Sequence, residues 1–470
     1  MRHLTLAAFL GICGCSGSGT TREDYTFYPL EDSGESKSPA PRRAAPDPGK
    51  PMTLDLLGAM RLAGAENIDI SVMRTRLEAR RADTDEAFSR YLPDLRLGFN
   101  YLRHDGLRQD ASGLVAEQPM SSFGAGPELS LQLDPVEARF QHLRALQLEE
   151  AAEQKVRRTS AEAVVHSAIL YLELVRASGL VAVSEEAVER SLEQVKLQEG
   201  AAELEAVLGV ELARARAELA RDQEALLASR EGLRGAGIRL ATWLRLPPQV
   251  PLIPETKDIQ PLGLVGADRS LADLLDSALA ASPDLAEMRA LNRAAREMEN
   301  AATWGPWTPD IYASAGHGAY GGGPGNGGLF GGLGDRTDIA AGLSWNLRGL
   351  GLGDRARKRK TRAEALEAGL QAARAREQLS AEVVVGWERS KSLLGRIEAA
   401  TKGVAAAAET LKLVEARFEA GDVIQLEVLE AIRAVAAARA ALIDTVVFYN
   451  QTQHLLYYRV RGASWRQAAE

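Results

Sequence analysis

"RYLPDLRLGFNY" (residues 90–101) and "PWTPDIYASAG" (residues 306–316) carry the reading of this chain. Each sets Pro-Asp ahead of a segment that alternates in polarity. Leu95, Leu97, Phe99 and Tyr101 fall on one side of the first, with Arg96, Gly98 and Asn100 on the other; the second offers Ile311, Ala313 and Ala315. A period of two is that of a strand with one face covered. Pro309-Asp310 follows Pro93-Asp94 by 216 positions, and the likeness extends upstream, where "TLDLLGAMRLAG" from Thr53 is echoed by "SLADLLDSALAA" from Ser270. That spacing is far beyond the roughly 20 to 50 residues of a solenoid repeat. The chain therefore reads as one unit used twice, over residues 53–262 and 263–465.

Each copy holds a second alternating segment. "PELSLQLD" sets Leu129, Leu131 and Leu133 against Ser130, Gln132 and Asp134, and "DIAAGLSWNL" sets Ile339, Ala341, Leu343, Trp345 and Leu347 against Gly342, Ser344 and Asn346. Strands are expected near 93–102, 127–134, 309–317 and 337–347, close to the ~9 to 11 residues that cross a bilayer as a tilted strand. A small soluble hairpin packed on a helix shows the same alternation. Four strands close no barrel, because the smallest membrane barrels need ~8 and an open edge in lipid strands its backbone polar groups. Strands in a membrane would thus require several copies of the chain, and three copies would supply about twelve.

The rest is helical and long. From about Val136 to Leu197, and from about Asp354 to Phe418, the pattern runs almost without Pro or turn clusters, enough for ~90 Å at 1.5 Å per residue. Val384, Leu393, Leu394, Ile397, Val404, Leu411 and Val414 keep a three-to-four spacing with little bulk. Such thin stripes pack helices side by side rather than around a globular core. Helical hairpins are expected over 136–245 and 350–460, turning at Gly200 and Gly421.

Composition agrees, since only 5% of the 470 residues are aromatic. A net charge of −8 argues against nucleic acid, which rewards a basic surface. The N-terminus "MRHLTLAAFLGICGCSGSG" has a short basic start, an apolar run and small residues, the layout of an export signal. Residues 16–52, rich in Ser, Gly, Pro and charge, read as a linker. Both cysteines, Cys13 and Cys15, lie in the signal region, so the exported chain has no disulfide framework. The six histidines show no metal-ligand spacing, and no nucleophile elbow or Walker loop is present, so neither metal, cofactor nor enzymatic chemistry is expected.

One motif invites a nucleotide. Gly316-His317-Gly318-Ala319-Tyr320-Gly321 fits G-x-G-x-x-G, but more Gly, Pro and Asn follow where a helix should open. The stretch 316–334 reads instead as the loop between the third and fourth strands, at the outer mouth. Arg355, Arg357, Lys358, Arg359 and Lys360 directly follow the fourth strand and are candidates for lipid-headgroup contact, or else a solvated first helical turn. Trp304, Trp307 and Trp345 near strand ends suit an interfacial aromatic belt.

The duplicated halves, the two Pro-Asp strand starts and above all "EARFEAGDVIQLEVLEAIRAVAAARAAL" (Glu415–Leu442) resemble the TolC-type outer membrane efflux channels. The resemblance covers about residues 53–460. It implies a mainly α fold with a β-barrel part: a homotrimer forming a twelve-stranded barrel continued by a periplasmic α-barrel. Acidic residues after the tip glycine ring the pore in that family, and those positions fall on Glu427 and Glu430; Glu203 and Glu205 match loosely in the first copy. The signal box Ile12-Cys13-Gly14-Cys15 resembles that of bacterial lipoproteins, which makes Cys15 the lipidated residue. The implied partners are a periplasmic adaptor, an inner-membrane transporter and outer membrane lipid. A type I secretion outlet is the alternative within the family. A soluble periplasmic coiled-coil adaptor or scaffold is the alternative outside it.

Overall fold

The structure is a computed structural model, and it describes residues 50–203, 209–256, 259–266, 269–324, 332–420 and 422–462. Strand β1 (Met52–Leu54) leads into helices α1 (Leu56–Glu66) and α2 (Ile68–Ser89). Strand β2 (Asp94–His104), a small hairpin of β3 (Leu107–Gln109) and β4 (Val115–Glu117), and β5 (Met120–Leu133) follow. The first long hairpin is α3 (Pro135–Glu203) and α4 (Gly209–Trp243). After β6 (Leu252–Pro254) the pattern returns as α5 (Leu271–Ala281), α6 (Pro283–Trp304), β7 (Asp310–Pro324) and β8 (Gly334–Ser344). The second hairpin, α7 (Leu352–Glu419) and α8 (Gln425–Arg461), completes the chain.

Two helices lead into the strands of each repeat. Asn67 and Ser282 sit in extended backbone and accept hydrogen bonds from the N–H groups of Asp69 and Leu285, so each caps a new helix rather than continuing the old one. Asp55 and Ser270 cap α1 and α5 in the same way, through Gly58 and Asp273. The Ser270 hydroxyl, besides accepting from the Asp273 N–H, donates to the Asp273 carboxylate at 2.7 Å.

Strands β2, β5, β7 and β8 form one antiparallel sheet in that order, so the two repeats join edge to edge at β5 and β7. Register aligns the alternation across all four strands. Leu95, Leu129, Ala315 and Ile339 make one row, and Arg96, Glu128, Gly316 and Asp338 the row of opposite facing. One face is thus apolar and the other polar. The apolar face is bare, with Leu97 73% and Phe99 82% exposed.

The glycine stretch corrects the sequence reading. Residues 316–324 are not loop but the outer half of β7, paired with β5 on one side and β8 on the other. Alternation misses this strand because small residues supply neither polarity nor bulk. They serve close approach: a Cβ added at Gly126 would lie 2.3 Å from the His317 carbonyl oxygen, and one at Gly318 2.2 Å from that of Ala125. Pairing between β5 and β7 skips this point, where Pro127 lacks the N–H to complete it. The remaining tip, 325–331, lies outside the described residues, as do the signal, Cys13, Cys15 and residues 16–49 of the linker.

Below the sheet the helices stand as a wall. Nearest the strands α3 and α7 pack with α2 and α6, and further along they pack with α4 and α8. Four buried clusters hold the wall together. The largest joins Leu54, Ala59 and Ala63 to Tyr171, Leu174, Leu240 and Leu244. Each methyl-bearing contact contributes little alone, but at ~25 cal/mol per Å² a seam of Ala, Val and Leu suffices to hold paired helices. The helix α3 contains an 18-residue window apolar enough to cross a membrane, and half of it is buried within this wall. The connection between repeats is clamped from α8: Asn450 accepts from the Leu262 N–H and donates to the Gln260 carbonyl, and Gln453 accepts from the Val265 N–H.

Candidate pore constriction

The second tip is a tight reversal. Helix α7 stops at Glu419, the Asp422 N–H returns to the Arg417 carbonyl at 2.9 Å, and α8 starts at Gln425. Val428, Ala431, Ile432 and Val435 on α8 pack against Leu411, Val414 and Phe418 on α7. Glu427 and Glu430 lie off this packed stripe, both exposed, three residues apart and therefore on one face of α8. Gly421 lies outside the described residues.

The first tip differs from expectation. Gly200 is not a turn but part of α3, which continues to Glu203 because Ala201 and Ala202 favour helix. The connection falls in 204–208, outside the described residues, together with Glu205; Glu203 ends the helix.

Behind the acidic face lies a charged seam that sequence reading missed. Glu218 on α4, 5% exposed, takes a two-pronged ion pair from Arg433 of α8 and a 2.7 Å contact from Arg221. The Arg433 hydrogen bonds hold the Glu218 carboxyl below the ordinary range, and the same contact raises the guanidinium. Beside it the Ser191 hydroxyl bonds Asp222, whose carboxyl burial pushes up. Along α8 the pattern repeats. Arg439 meets Glu186, Asp444 meets Arg176 at 2.7 Å, and Gln451 donates to Glu173 at 2.8 Å. Arg190 bridges Glu186 and Glu415, at 3.2 and 3.3 Å. The partners that α7 and α8 find on α3 and α4 stand more than 200 positions away in the chain, so no local spacing reveals them; the only sequence signal is charge on an otherwise Ala-rich helix.

At the junction of sheet and helices, Asp134 caps α3 through the N–H groups of Val136 and Glu137. Arg357 folds onto Glu137 at 2.6 Å and so ties α7 to α3 instead of projecting outward. Arg355, Lys358, Arg359 and Lys360 are exposed. Pro93-Asp94 and Pro309-Asp310 stand where β2 and β7 begin, and Trp304, Trp307 and Trp345 are exposed at that level. No cluster of His, Cys, Asp or Glu suited to a metal occurs among the described residues.

Comparison with known proteins gives one family. Residues 274–457 match the family model described as outer membrane efflux protein. No curated protein sequence matches the chain. A membrane protein from Pseudomonas aeruginosa has the same fold at a TM-score of 0.75 and 20% identity, over 87% of this chain and 93% of that one. The outer membrane protein VceC of Vibrio cholerae aligns at 0.72 and 19% identity, over 87% and 96%. The open state of the MtrE outer membrane channel of Neisseria gonorrhoeae aligns at 0.68 and 19%, over 87% and 89%. These likenesses establish the fold across both repeats.

Proposed function

We propose that this protein, a TolC-like protomer whose second repeat carries the outer membrane efflux protein pattern, forms the outer-membrane exit duct of a tripartite efflux pump. The observation that carries this is the sheet. Its two outer strands, β2 and β8, have 11 residues each and run antiparallel to one another, and neither has a further strand partner in the sheet among the described residues. Placed beside copies of itself the sheet closes, β8 of one protomer on β2 of the next, with the apolar face to lipid and the polar face to the bore. Three protomers give a barrel of about twelve strands. A soluble scaffold would have to cover Leu95, Leu97 and Phe99, and nothing in the chain's described residues does.

Cys15 serves as lipid anchor, and the hairpin tips meet a periplasmic adaptor that links the duct to an inner-membrane transporter. Glu427 and Glu430, brought three-fold around the axis, form carboxylate rings that favour cations. The seam of Arg433 and Arg439 against Glu218 and Glu186 holds each second hairpin to the first, so opening requires those pairs to loosen. The duct is passive, and energy comes from the transporter. The test is extraction from membranes in detergent: an SDS-resistant trimer that conducts in planar bilayers supports the reading, and a monomer in the soluble fraction overturns it.

A further inference from the structure

A cavity lies far from the tips, where the wall changes its members. An open groove of about 440 Å³ is lined by the start of α2, the middle of α3 and the ends of α4 and α8. Its walls combine two chemistries. Trp243, His166, Tyr458 and Leu455 supply aromatic and aliphatic surface, and Asp69 and Glu162 supply carboxylates. The Trp243 indole is fixed, because its N–H donates to the Ala163 carbonyl at 3.1 Å and the His166 ring meets it edge-on with centroids 4.4 Å apart.

Charge around this cavity is unbalanced. Arg459 is already shared between Asp284 at 3.0 Å and Glu382 at 2.8 Å. Arg158 divides among Asp284, Glu287 and Glu162, at 2.9, 3.1 and 3.8 Å. Lys155 also bears on Glu287. Asp69 has no ion pair among the described residues, so Asp69 and Glu162 line the cavity with Arg459 as its one cation, and that cation is already held by Asp284 and Glu382. Partial burial raises the Glu162 carboxyl, while half of its side chain stays open to solvent. One more group lacks a partner: Tyr458, 4% exposed, lines the cavity with a buried hydroxyl that makes no hydrogen bond among the described residues.

We propose that this cavity is a transit subsite for organic cations with an apolar body, the carboxylates taking the charge and the Trp243 and Tyr458 rings the body. Cations gain from an aromatic face and from an unbalanced carboxylate at once, a combination that anions and neutral solutes lack. The cavity's place agrees. Helix α1 covers one face of α3 through Met60 on Ala161, Val164 and Ala168, and Glu162 and His166 lie more than a quarter-turn round from that stripe. On the duct reading this uncovered face of α3 is assigned to the bore, and here the inference rests on that reading.

The probe is ethidium, with anilinonaphthalene sulfonate as the anionic control, bound to detergent-solubilised full-length protein and followed by fluorescence. Wild type is expected to prefer ethidium. The pair Asp69→Asn and Glu162→Gln is expected to weaken ethidium by roughly tenfold, the scale of one charge contact, and to leave the anion unchanged. Trp243→Phe is expected to weaken it by a smaller factor. Equal binding of both probes, or ethidium affinity unmoved by the carboxylate pair in protein of unchanged melting temperature, overturns the subsite. Planar-bilayer conductance separates the two readings. Conducting channels with unmoved ethidium affinity sink the subsite alone; a wild type that never conducts sinks the duct and with it the placement on the bore.

Discussion

Arg433 on α8 and Glu218 on α4 grip one another through two hydrogen bonds across a separation of 215 residues, and the carboxylate is almost wholly buried while the guanidinium is nearly half exposed. The asymmetry decides what each substitution does. Removing Arg433 leaves the buried carboxylate to the more exposed Arg221 alone; removing the carboxylate frees an exposed cation.

Arg433→Ala is therefore expected to destabilise the tip by about 1 to 3 kcal/mol, more than Glu218→Gln. Arg433→Lys falls between, having lost the forked geometry. In planar bilayers the alanine variant should raise conductance or open time over wild type. Wild-type conductance together with an unshifted melting curve would show that the seam does not restrain the tip.

Replacing Glu427 and Glu430 together by Gln is expected to lower cation selectivity and block by multivalent cations, with little effect on stability, since both are exposed. Reversal potentials under a salt gradient measure it. An unchanged potential removes these residues from the bore.

The sheet makes a sharper contrast. Gly318→Ala should prevent the SDS-resistant trimer, because the new methyl group meets the Ala125 carbonyl at 2.2 Å. Gly316→Ala, two residues away on the same face, has nothing nearer than 3.8 Å and should assemble normally. Gel mobility of unheated samples distinguishes them. Equal behaviour of the two variants would contradict the close backbone approach.

His454 gives a pH signature. It is 7% exposed, and burial lowers its pKa to about 4 from the ordinary 6.5. The folded state holds it neutral while the unfolded chain takes up a proton, so its contribution is complete above pH 6.5 and declines as pH falls toward 4, by up to about 3 kcal/mol. The lowered Glu218 carboxyl adds a loss below its ordinary range near 4.5, from the same sign of linkage. Melting temperatures from pH 7 to 4 should fall for wild type and flatten for His454→Gln above pH 4.5. Parallel curves would place the acid sensitivity elsewhere.

Arg357 and its neighbours divide by role. Arg357→Gln should cost about 1 kcal/mol of stability by unpairing Glu137, whereas Arg355→Gln with Lys358→Gln and Arg359→Gln should leave melting unchanged and weaken binding to anionic vesicles. Equal melting for both variants would mean that the Glu137 contact contributes nothing.

Much of this was legible in the residues. Leu95, Leu97 and Phe99 alternate with polar neighbours strongly enough to name β2, and the Pro-Asp starts mark where two strands begin. The outer half of β7 was hidden because Gly316, Gly318 and Gly322 carry no side chain for a period to appear in. Asn67 and Ser282 break their helices by one hydrogen bond each, a signal no stronger than that of many exposed polar residues. The seam was unreadable for a different reason. Arg433 and Glu218 are ordinary charges in amphipathic helices until tertiary packing buries one of them, and the 215 intervening residues carry no trace of that event.

The equal length of β2 and β8 has a genetic consequence. In the proposed ring each copy offers β2 to one neighbour and β8 to the other, so a protomer spoiled at one edge still occupies one neighbour through the edge that remains. Damage confined to one strand should then be dominant rather than recessive. In a cell making equal amounts of intact and edge-defective chains, random assembly leaves only about one ring in eight fully sound, although half of the protein is normal.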